Sequence, residues 1–237
     1  MYKNFVKRLL DVLLSLIAII LLALPMLVIA LITKLDSPGP ALFRQKRSGM
    51  RRKTFTILKF RSMPSTVSRD TPTYLLKGDI RLTPWQQFLR RTSLDELPQL
   101  FNILAGHMSL IGPRPALWNE ENLLSERDKY GANDVKPGLS GWAQINGRDE
   151  LEIPVKAKFD GDYIEKMSFG FDINPISNNT PTLFIFFNKS QFINVSNFSK
   201  YLLSISSSFD NFDTSTFSRA LTNSEVPKSF VLIPKCL

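Results

Sequence analysis

Hydrophobic and polar positions divide the chain into three parts. Residues 12–32 form a run of 21 uncharged, mainly apolar residues. Residues 37–173 alternate short apolar stretches with polar loops, whereas residues 174–237 show no hydrophobic period. We therefore predict a membrane-inserted segment over residues 1–36, a folded domain over 37–173 and an atypical tail over 174–237.

The apolar run is long enough to enter a bilayer. As a helix, its residues would extend about 31 Å, which matches the hydrocarbon core. A signal peptide has a shorter apolar region, and a buried helix of a soluble protein is rarely apolar on every side. We therefore expect this segment to insert into a membrane.

Basic flanks and a central proline favour re-entry of this segment over a straight span. Lysines and arginines lie on both sides of the run, which favours keeping both ends in the cytoplasm. Pro25 lacks a backbone donor and clashes with the carbonyl of Leu21, so it kinks or breaks a helix. Two half-helices that meet at Leu24-Pro25 could enter and leave by the same face, provided that the freed backbone groups find partners.

The middle part predicts an α+β fold that is mainly helical. Residues 41–49 and 53–63 predict two strands that pair as a hairpin around Ser48-Gly49. A polar loop follows over residues 64–79, and residues 84–91 place apolar side chains at helical spacing. We therefore expect a small helical domain that carries one hairpin.

Charge and composition limit the kinds of ligand and site that the chain can have. Nine lysines and arginines, with no acid among them, lie between Ser37 and Arg69, and they account for the net charge of +9. Such a block indicates a phosphorylated ligand, anionic lipid or nucleic acid. Cys236 is the only cysteine, which excludes an intrachain disulfide and a multi-cysteine metal site. His107 is the only histidine, and we interpret it as structural.

Two adjacent acids are the first candidate for catalysis. Residues 93–96 fit a capping box, although Pro98 is better placed if Asp95 is the N-cap. Either choice puts Asp95 and Glu96 in the first turn of a helix, where we expect lowered pKa values for both carboxyls. Capping explains one acid, whereas two acids beside two arginines could hold a divalent cation.

Two loops rich in proline or glycine are further candidates. The loop Pro113-Arg114-Pro115 fixes an arginine between two restricted backbones, which suits a phosphate or a planar base. Residues 136–148 contain three glycines, which we expect to let the backbone approach a ligand closely. Each loop is also compatible with a tight turn and nothing more.

Taken in order, these segments resemble the bacterial sugar transferase family, the small monotopic polyprenol-phosphate phosphoglycosyl transferases. The resemblance covers residues 1–173 and includes the basic-flanked apolar segment with its central proline. The other matching motifs lie at residues 58–63, 92–102, 109–115, 136–148, 162–169 and 172–173. Several motifs in a fixed order make a chance match improbable.

The resemblance implies transfer of a sugar-1-phosphate from a UDP-sugar to undecaprenyl phosphate, with release of UMP. Asp95 corresponds to the family's nucleophile, which forms an aspartyl-phosphosugar intermediate, and Glu96 assists it. Mg²⁺ is the expected cofactor and would sit with Asp95, Glu96 and the diphosphate. The residues expected to bind substrate are Lys59, Arg61, Arg90, Pro113, Arg114, Pro115, Gln144, Asn146 and Arg148.

The resemblance also implies a location and partners. In that family the membrane element is a re-entrant helix broken near the Pro25 equivalent, and the catalytic domain lies against the cytoplasmic face of the bacterial inner membrane. The expected partners are a UDP-sugar, a polyprenol phosphate, an anionic membrane and downstream glycosyltransferases, without nucleic acid. Residues 147–156 resemble members that use N-acetylated, often 6-deoxy, hexosamines. Such enzymes initiate O-antigen, capsule, exopolysaccharide or glycoprotein glycan assembly.

The resemblance ends after Ile173, and rival functions remain. Asn174-Pro175 breaks the helix with which the family continues, and the tail is rich in phenylalanine, serine and asparagine. A shifted reading frame is our leading explanation, beside a real appendage or a poorly folded tail. The rivals are a membrane-anchored module that binds anionic lipid or nucleic acid, and a metal-dependent nucleotide-sugar diphosphatase. Product analysis with and without lipid acceptor separates all three.

Overall fold

A computed structural model of the chain describes residues 2–64, 81–147 and 151–172. The atypical tail, nearly all of the loop expected over residues 64–79, and Arg148 lie outside these residues. Predictions about them therefore stay predictions.

The first element is a long helix with a partly covered surface. One π-helical turn, Tyr2–Val6, leads into α1, Lys7–Asp36. One face of α1 is buried at helical spacing, whereas many of its leucines and isoleucines are exposed, including Leu24 at 70%. Within the described residues, α1 is the one helix long and apolar enough to cross a bilayer. The predicted membrane segment therefore exists as a helix with an apolar outer surface.

Pro25 does not divide this helix into two elements. α1 continues through Pro25 to Asp36, so separate half-helices that end at Leu24-Pro25 are not found. A proline removes one helical hydrogen bond, but the remaining bonds on both sides can carry a helix through a kink. Re-entry into the membrane is not confirmed by this geometry and stays a prediction.

The predicted hairpin is confirmed. Strand β1, Leu42–Ser48, pairs antiparallel with β2, Thr54–Phe60, and Ser48 lies opposite Thr54. Phe55 and Ile57 are buried, whereas Thr54 and Thr56 are exposed. The His107 ring stacks on Phe55 with 5.8 Å between centroids, which agrees with its structural interpretation.

The second helix is confirmed, but the predicted capping box lies elsewhere. α2, Pro84–Thr92, begins with a capping box between Thr83 and Gln86. Ser93 makes no side-chain cap and ends α2 in the left-handed region at φ 55°. A single 3-10 turn, Leu94–Glu96, follows, and α3 begins only at Gln99 (Gln99–Leu104). The capping box predicted at residues 93–96 is therefore wrong, because Ser93 is left-handed and not extended as an N-cap residue is.

Two short strands bring the proline loop and the glycine loop together. β3, Ser109–Ile111, pairs in parallel with β4, Gly138–Ser140. A Cβ on Gly138 would lie 2.1 Å from the backbone nitrogen of Gly112, and one on Gly141 would lie 2.2 Å from the Gly112 carbonyl oxygen. These two glycines therefore let two chain segments meet, while close approach of this loop to a ligand stays a prediction.

Three further helices complete the described part of the chain. They are α4, Glu121–Asp128, α5, Trp142–Ile145, and α6, Ile153–Lys166, and residues 169–172 are also helical. Trp85, Leu89, Ile103 and Met108 are fully or almost fully buried in the core. The mainly helical α+β prediction is confirmed, while membrane apposition stays a prediction.

Both ends of α1 are tied to this folded part. Near its start, Arg8 donates to the carbonyls of Ile103 and Leu104, and Asp11 accepts from the Leu110 backbone and the Ser109 hydroxyl. At its end, the Arg61 guanidinium donates to the carbonyls of Thr33 and Ser37, and the Trp85 indole donates to the Thr33 hydroxyl. The elements that touch the two ends are themselves packed together, since the Asn102 side chain of α3 bonds to the backbone of β2.

Candidate active site

The two candidate acids lie in the 3-10 turn between α2 and α3. Ser93 adopts the left-handed conformation that ends α2, and Asp95 and Glu96 are buried in the turn that follows. Asp95 is 8% exposed and Glu96 is 3% exposed. Two adjacent buried carboxyls need partners, because burying an unpaired charge is costly.

Glu96 has two cationic partners on one oxygen. Its Oε1 accepts from Lys59 Nζ at 2.8 Å and from Arg114 Nη2 at 2.9 Å. Burial alone would raise the pKa of Glu96, but Arg114 and Lys59 overcome it and hold the pKa well below its usual range. Glu96 is therefore an anion, as predicted, although its charge partners and not a helix terminus keep it so.

Asp95 has a different environment. The Ser62 hydroxyl donates to its Oδ2 at 2.8 Å in a buried hydrogen bond. Burial raises the pKa of the Asp95 carboxyl and the neighbouring Glu96 charge adds to this, while Lys59 opposes them. The lowered pKa predicted for Asp95 is therefore wrong, because the acid is buried in a short turn and does not head a long helix.

Lys59 completes a cluster of two acids and two cations. Burial lowers the pKa of Lys59, with a contribution from Arg114, whereas the Glu96 carboxylate opposes this shift. Lys59 extends from β2 and Arg114 from the proline loop, so two separate elements converge on Glu96. The predicted site residues Lys59, Arg114, Asp95 and Glu96 are therefore brought together.

The proline loop is held by its backbone. The carbonyl of Pro113 accepts from the Gly138 amide, that of Arg114 from Arg127 Nη1, and that of Pro115 from Arg47 Nη1. Arg127 in turn bonds the Asp160 carboxylate at 2.6 Å in a deeply buried ion pair. All three carbonyls of the loop are thus fixed, which restricts where the Arg114 guanidinium can lie.

Other predicted site residues have different surroundings. Arg61 is 4% exposed and donates to carbonyls at the end of α1, so its contacts give it a structural role and do not support the predicted substrate contact. Arg90 is exposed on α2 and favours the charged form of Asp95. Gln144 donates to the Leu139 carbonyl, and the exposed Asn146 donates to the Trp142 carbonyl within α5 and its flank.

Sequence reasoning missed three residues of this region. Ser62 lies inside the motif at residues 58–63, and a hydroxyl directly after Arg61 is the only signal. Arg127 and Asp160 are 33 positions apart, and nothing in a single sequence pairs them. These contacts depend on tertiary packing, which the hydrophobic pattern does not encode.

The residues at this turn fit a divalent cation. Glu96 Oε2 is buried and has no hydrogen-bond partner among the described residues. No cluster of three or more His, Cys, Asp or Glu side chains occurs in residues 2–64, 81–147 and 151–172. Mg²⁺ commonly uses one or two carboxylates and completes its shell with water and substrate phosphates. Asp95 and Glu96 are compatible with a cation that a diphosphate helps to hold, and the expected Mg²⁺ stays a prediction.

Comparison with known proteins decides the family. A family model described as bacterial sugar transferase matches residues 2–186. The chain belongs to the bacterial sugar transferase family. The dyad, the proline loop and α1 all lie within the matched range, so the site described above is part of the family's own domain.

Individual sugar transferases agree with this assignment. The chain is 43% identical over 178 residues to the UDP-glucose:undecaprenyl-phosphate glucose-1-phosphate transferase of Escherichia coli K12, covering 72% of this chain and 38% of that protein. It is 38% identical over 167 residues to EpsL, an uncharacterized sugar transferase of Bacillus subtilis 168, covering 70% of this chain and 81% of the relative.

A third relative carries a different sugar in its name. The UDP-N-acetylgalactosamine-undecaprenyl-phosphate N-acetylgalactosaminephosphotransferase of Aeromonas hydrophila is 38% identical over 177 residues, covering 71% of this chain and 41% of the relative. The matched region thus spans well under half of the Escherichia coli and Aeromonas proteins. Family membership and the long apolar helix together indicate a membrane location.

Proposed function

We propose that this sugar transferase moves a sugar-1-phosphate from a UDP-sugar to undecaprenyl phosphate and releases UMP. The observation that carries the proposal is the buried Asp95-Glu96 turn, with Lys59 and Arg114 converging on Glu96. The names of the Escherichia coli and Aeromonas relatives support the same reaction class. A buried acid pair with two cations suits the handling of a diphosphate.

In the first step, an Asp95 carboxylate oxygen attacks the β-phosphorus of the UDP-sugar. The new bond joins that oxygen to phosphorus, and the bond between the β-phosphorus and the bridging oxygen breaks. UMP leaves with the bridging oxygen and its electron pair. The sugar phosphate is then held on the protein as an acyl phosphate, which lets a soluble donor and a lipid acceptor use one site in turn.

In the second step, a phosphate oxygen of the polyprenol phosphate attacks the same phosphorus. The bond between phosphorus and the Asp95 oxygen breaks, which regenerates the carboxylate and forms a polyprenyl diphosphosugar. One diphosphate linkage replaces another over the two steps, so little net driving force is required. The enzyme's task is to bring anions together, and Lys59 and Arg114 reduce their mutual repulsion.

Asp95 and Glu96 would hold Mg²⁺, which when bound supplies charge neutralisation for the phosphate oxygens. Glu96 has an unpartnered, buried Oε2, while its Oε1 remains on Lys59 and Arg114. Glu96 therefore has two tasks in this proposal. Its Oε1 positions Lys59 and Arg114, and its Oε2 is the oxygen offered to the metal ion. The hydrogen bonds to the carbonyls of Arg114 and Pro115 hold the proline loop, and so keep Arg114 close to Glu96.

We further propose that α1 is re-entrant and that the catalytic part lies on the cytoplasmic face of the inner membrane. One folded part contacts both ends of α1, through Arg8 and Asp11 at the start and through Thr33 at the end. A straight span would place those ends on opposite faces of the hydrocarbon core, which is about 30 Å thick, so one folded part outside the core could contact only one of them. The basic flanks favour the cytoplasmic side for both ends.

The sugar and the pathway belong to this proposal as well. Residues 147–156 resemble members that use N-acetylated hexosamines, and one relative is named for N-acetylgalactosamine. An N-acetylated hexosamine, with or without a 6-deoxy group, is therefore the first donor to test, with UDP-glucose and UDP-galactose beside it. The lipid product would initiate a lipopolysaccharide, capsule, exopolysaccharide or glycoprotein glycan, and downstream glycosyltransferases would extend it.

The experiment is capture of the phosphosugar on the protein. Purified full-length chain is incubated with each UDP-sugar labelled at the β-phosphate, without lipid acceptor. The wild type should retain label that hydroxylamine releases, and EDTA should prevent the labelling until Mg²⁺ is restored. Asp95→Asn should capture no label, because an amide is a poor nucleophile, while its oxygen still accepts the Ser62 hydrogen bond. Glu96→Gln should capture label slowly.

The same samples separate the rival functions. With undecaprenyl phosphate added, a transferase converts the label to a lipid-soluble product, whereas a diphosphatase yields sugar phosphate with or without lipid. A binding module consumes no donor at all. Near-normal turnover by Asp95→Asn would contradict the assignment of the nucleophile.

A further inference from the structure

Two consecutive residues after β2 hold two different parts of the molecule. Arg61 Nη1 donates to the Pro38 carbonyl at 2.9 Å, and Nη2 donates to the Thr33 carbonyl at 3.0 Å. The next residue, Ser62, donates its hydroxyl to Asp95 Oδ2 at 2.8 Å. Arg61 and Ser62 are both buried, at 4% and 8% exposure. One short segment therefore connects the end of α1 with the candidate nucleophile.

We propose that Ser62 is a positioning residue for the reacting carboxylate of Asp95, and that Arg61 ties this position to the C-terminal end of α1. The inference rests on the proposed function, since it requires Asp95 to be the attacking group. It assigns to Arg61 a role that differs from the substrate contact expected from the sequence.

The Ser62 hydroxyl restricts the rotation of the carboxylate. The last torsion of an aspartate is broad and has no sharp minimum, so an unheld carboxylate samples many orientations. A hydrogen bond from Ser62 to Oδ2 fixes the plane of the group and leaves Oδ1 as the oxygen that can attack. Attack requires the reacting oxygen to be aligned with phosphorus, and small misplacements slow such steps strongly.

Arg61 makes the end of α1 part of the same arrangement. The carbonyl of Thr33 lies in the last turn of α1, beside the carbonyls at the helix end that lack an intrahelical partner. Arg61 binds this carbonyl and those of Ser37 and Pro38 just beyond the helix. Arg61 and Ser62 are neighbours in the chain, with Cα atoms about 3.8 Å apart, so we expect a displacement of this helix end to move Ser62 and, through it, Asp95.

The inference predicts that removal of the Ser62 hydroxyl slows capture of the phosphosugar on the protein but does not weaken nucleotide binding. Full-length Ser62→Ala in nanodiscs of phosphatidylethanolamine and phosphatidylglycerol is mixed with β-labelled UDP-sugar and quenched at short times. We expect the label to appear roughly 10- to 100-fold more slowly than in the wild type. The affinity for UDP, measured by calorimetry, should stay within about twofold, because the Ser62 hydroxyl is committed to Asp95 Oδ2. Ser62→Thr keeps the hydroxyl and should recover most of the rate.

Ser109→Ala is the matched control. It removes another buried hydrogen bond from a serine hydroxyl to an aspartate, at 3.1 Å from Asp11, near the opposite end of α1. A thermal melt of both variants compares their folds. If Ser62→Ala captures label at the wild-type rate, or is slowed no more than Ser109→Ala at equal stability, the positioning role is wrong.

Arg61→Lys tests the link to α1. One ammonium cannot reach all the carbonyls that the guanidinium fork holds, so we expect slower capture. If Arg61 acts through Ser62, Arg61→Lys should add little to the effect of Ser62→Ala in the double variant. If the double variant instead loses the sum of the two single effects on the capture rate, the link between Arg61 and Ser62 is refuted. The positioning role of Ser62 is then judged from Ser62→Ala alone, as it also is if Arg61→Lys folds poorly. Absence of label on the wild type would instead refute the proposed function.

Discussion

At the scale of single residues, burial decides which ion pairs matter. Arg127 and Asp160 are paired at 3% and 1% exposure, and Arg127 also holds the carbonyl of Arg114. Arg52 forms two pairs as well, with Glu121 and Asp128, but these acids are 68% and 50% exposed at the side chain. The same residue type therefore makes a structural contact in one place and a solvent-screened contact in the other.

This difference predicts unequal costs of removing the two arginines. Arg127→Ala leaves the Asp160 carboxyl buried without its partner and should lower the free energy of unfolding by about 3–5 kcal/mol. Arg52→Ala should lower it by about 1 kcal/mol or less, because exposed pairs are screened by water and salt. Thermal melting of both variants in the same detergent measures the difference. Equal shifts would mean that the Arg127 pair contributes no more than a surface pair.

Residue types and the family resemblance together predicted part of the site. Asp95, Glu96 and Arg114 were candidates from their residue types, because two acids and a restricted arginine are unusual in a plain core, whereas Lys59 was expected only through the resemblance. Ser62, Arg127 and Asp160 were not, since each acts on a residue far along the chain. The pKa direction of Asp95 was also wrong, because burial outweighs the local backbone.

At the scale of elements, periodicity was a good guide where an element is long. The hairpin, α2 and the length of α1 follow from alternation and helical spacing. The strands β3 and β4 have three residues each, too few to show a period, and they were not predicted. The break at Ser93 was missed because a left-handed serine is rare, so the capping pattern at residues 93–96 was the more probable interpretation.

The pairing of β3 with β4 predicts that Gly138 is irreplaceable. A Cβ at this position would meet backbone atoms of Gly112 at 2.1 and 2.5 Å and of Ser140 at 2.4 Å, and backbone cannot swing away as a side chain can. Gly138→Ala should lower the free energy of unfolding by about 3 kcal/mol or more. It should also impair catalysis, since the Gly138 amide binds the Pro113 carbonyl of the proline loop.

Gly170→Ala is the matched control for this substitution. A Cβ at Gly170 meets no atom within 4 Å, and the residue lies in the helical stretch 169–172. We expect its free energy of unfolding to change by about 1 kcal/mol or less, with the capture of label unaffected. Comparable losses in both variants by thermal melting would show that the close contact with Gly112 is not what restricts residue 138.

At the scale of the whole molecule, the dyad is linked to both ends of the apolar helix. The end of α1 reaches Asp95 through Arg61 and Ser62. The start of α1 reaches the proline loop through Asp11, which holds the first residues of β3, and the loop's arginine bonds Glu96. In the proposed reaction a soluble donor and a lipid acceptor use one site, and these links would keep α1 and the dyad in one geometry.

This linkage predicts a topology that labelling can test. In a Cys236→Ser background, Lys3→Cys and Lys53→Cys report on the two sides of α1, and both lysines are exposed. If α1 is re-entrant, a membrane-impermeant maleimide should label neither position in intact cells and both after permeabilisation. Pro25→Ala restores a backbone donor inside α1 and relieves the clash with the preceding turn. It should therefore straighten the helix and raise the labelling of Lys3→Cys from the periplasm.

Leu24→Ala is the control for that change, since it alters an exposed apolar residue next to Pro25 and leaves the backbone as it is. Its labelling should match that of the parent. A straight span would instead expose Lys3→Cys or Lys53→Cys, but not both, in intact cells that carry the native proline. Such a result would require one end of α1 to leave the folded part that it contacts through Asp11 or Thr33, and capture of label on Asp95 should then fall with it.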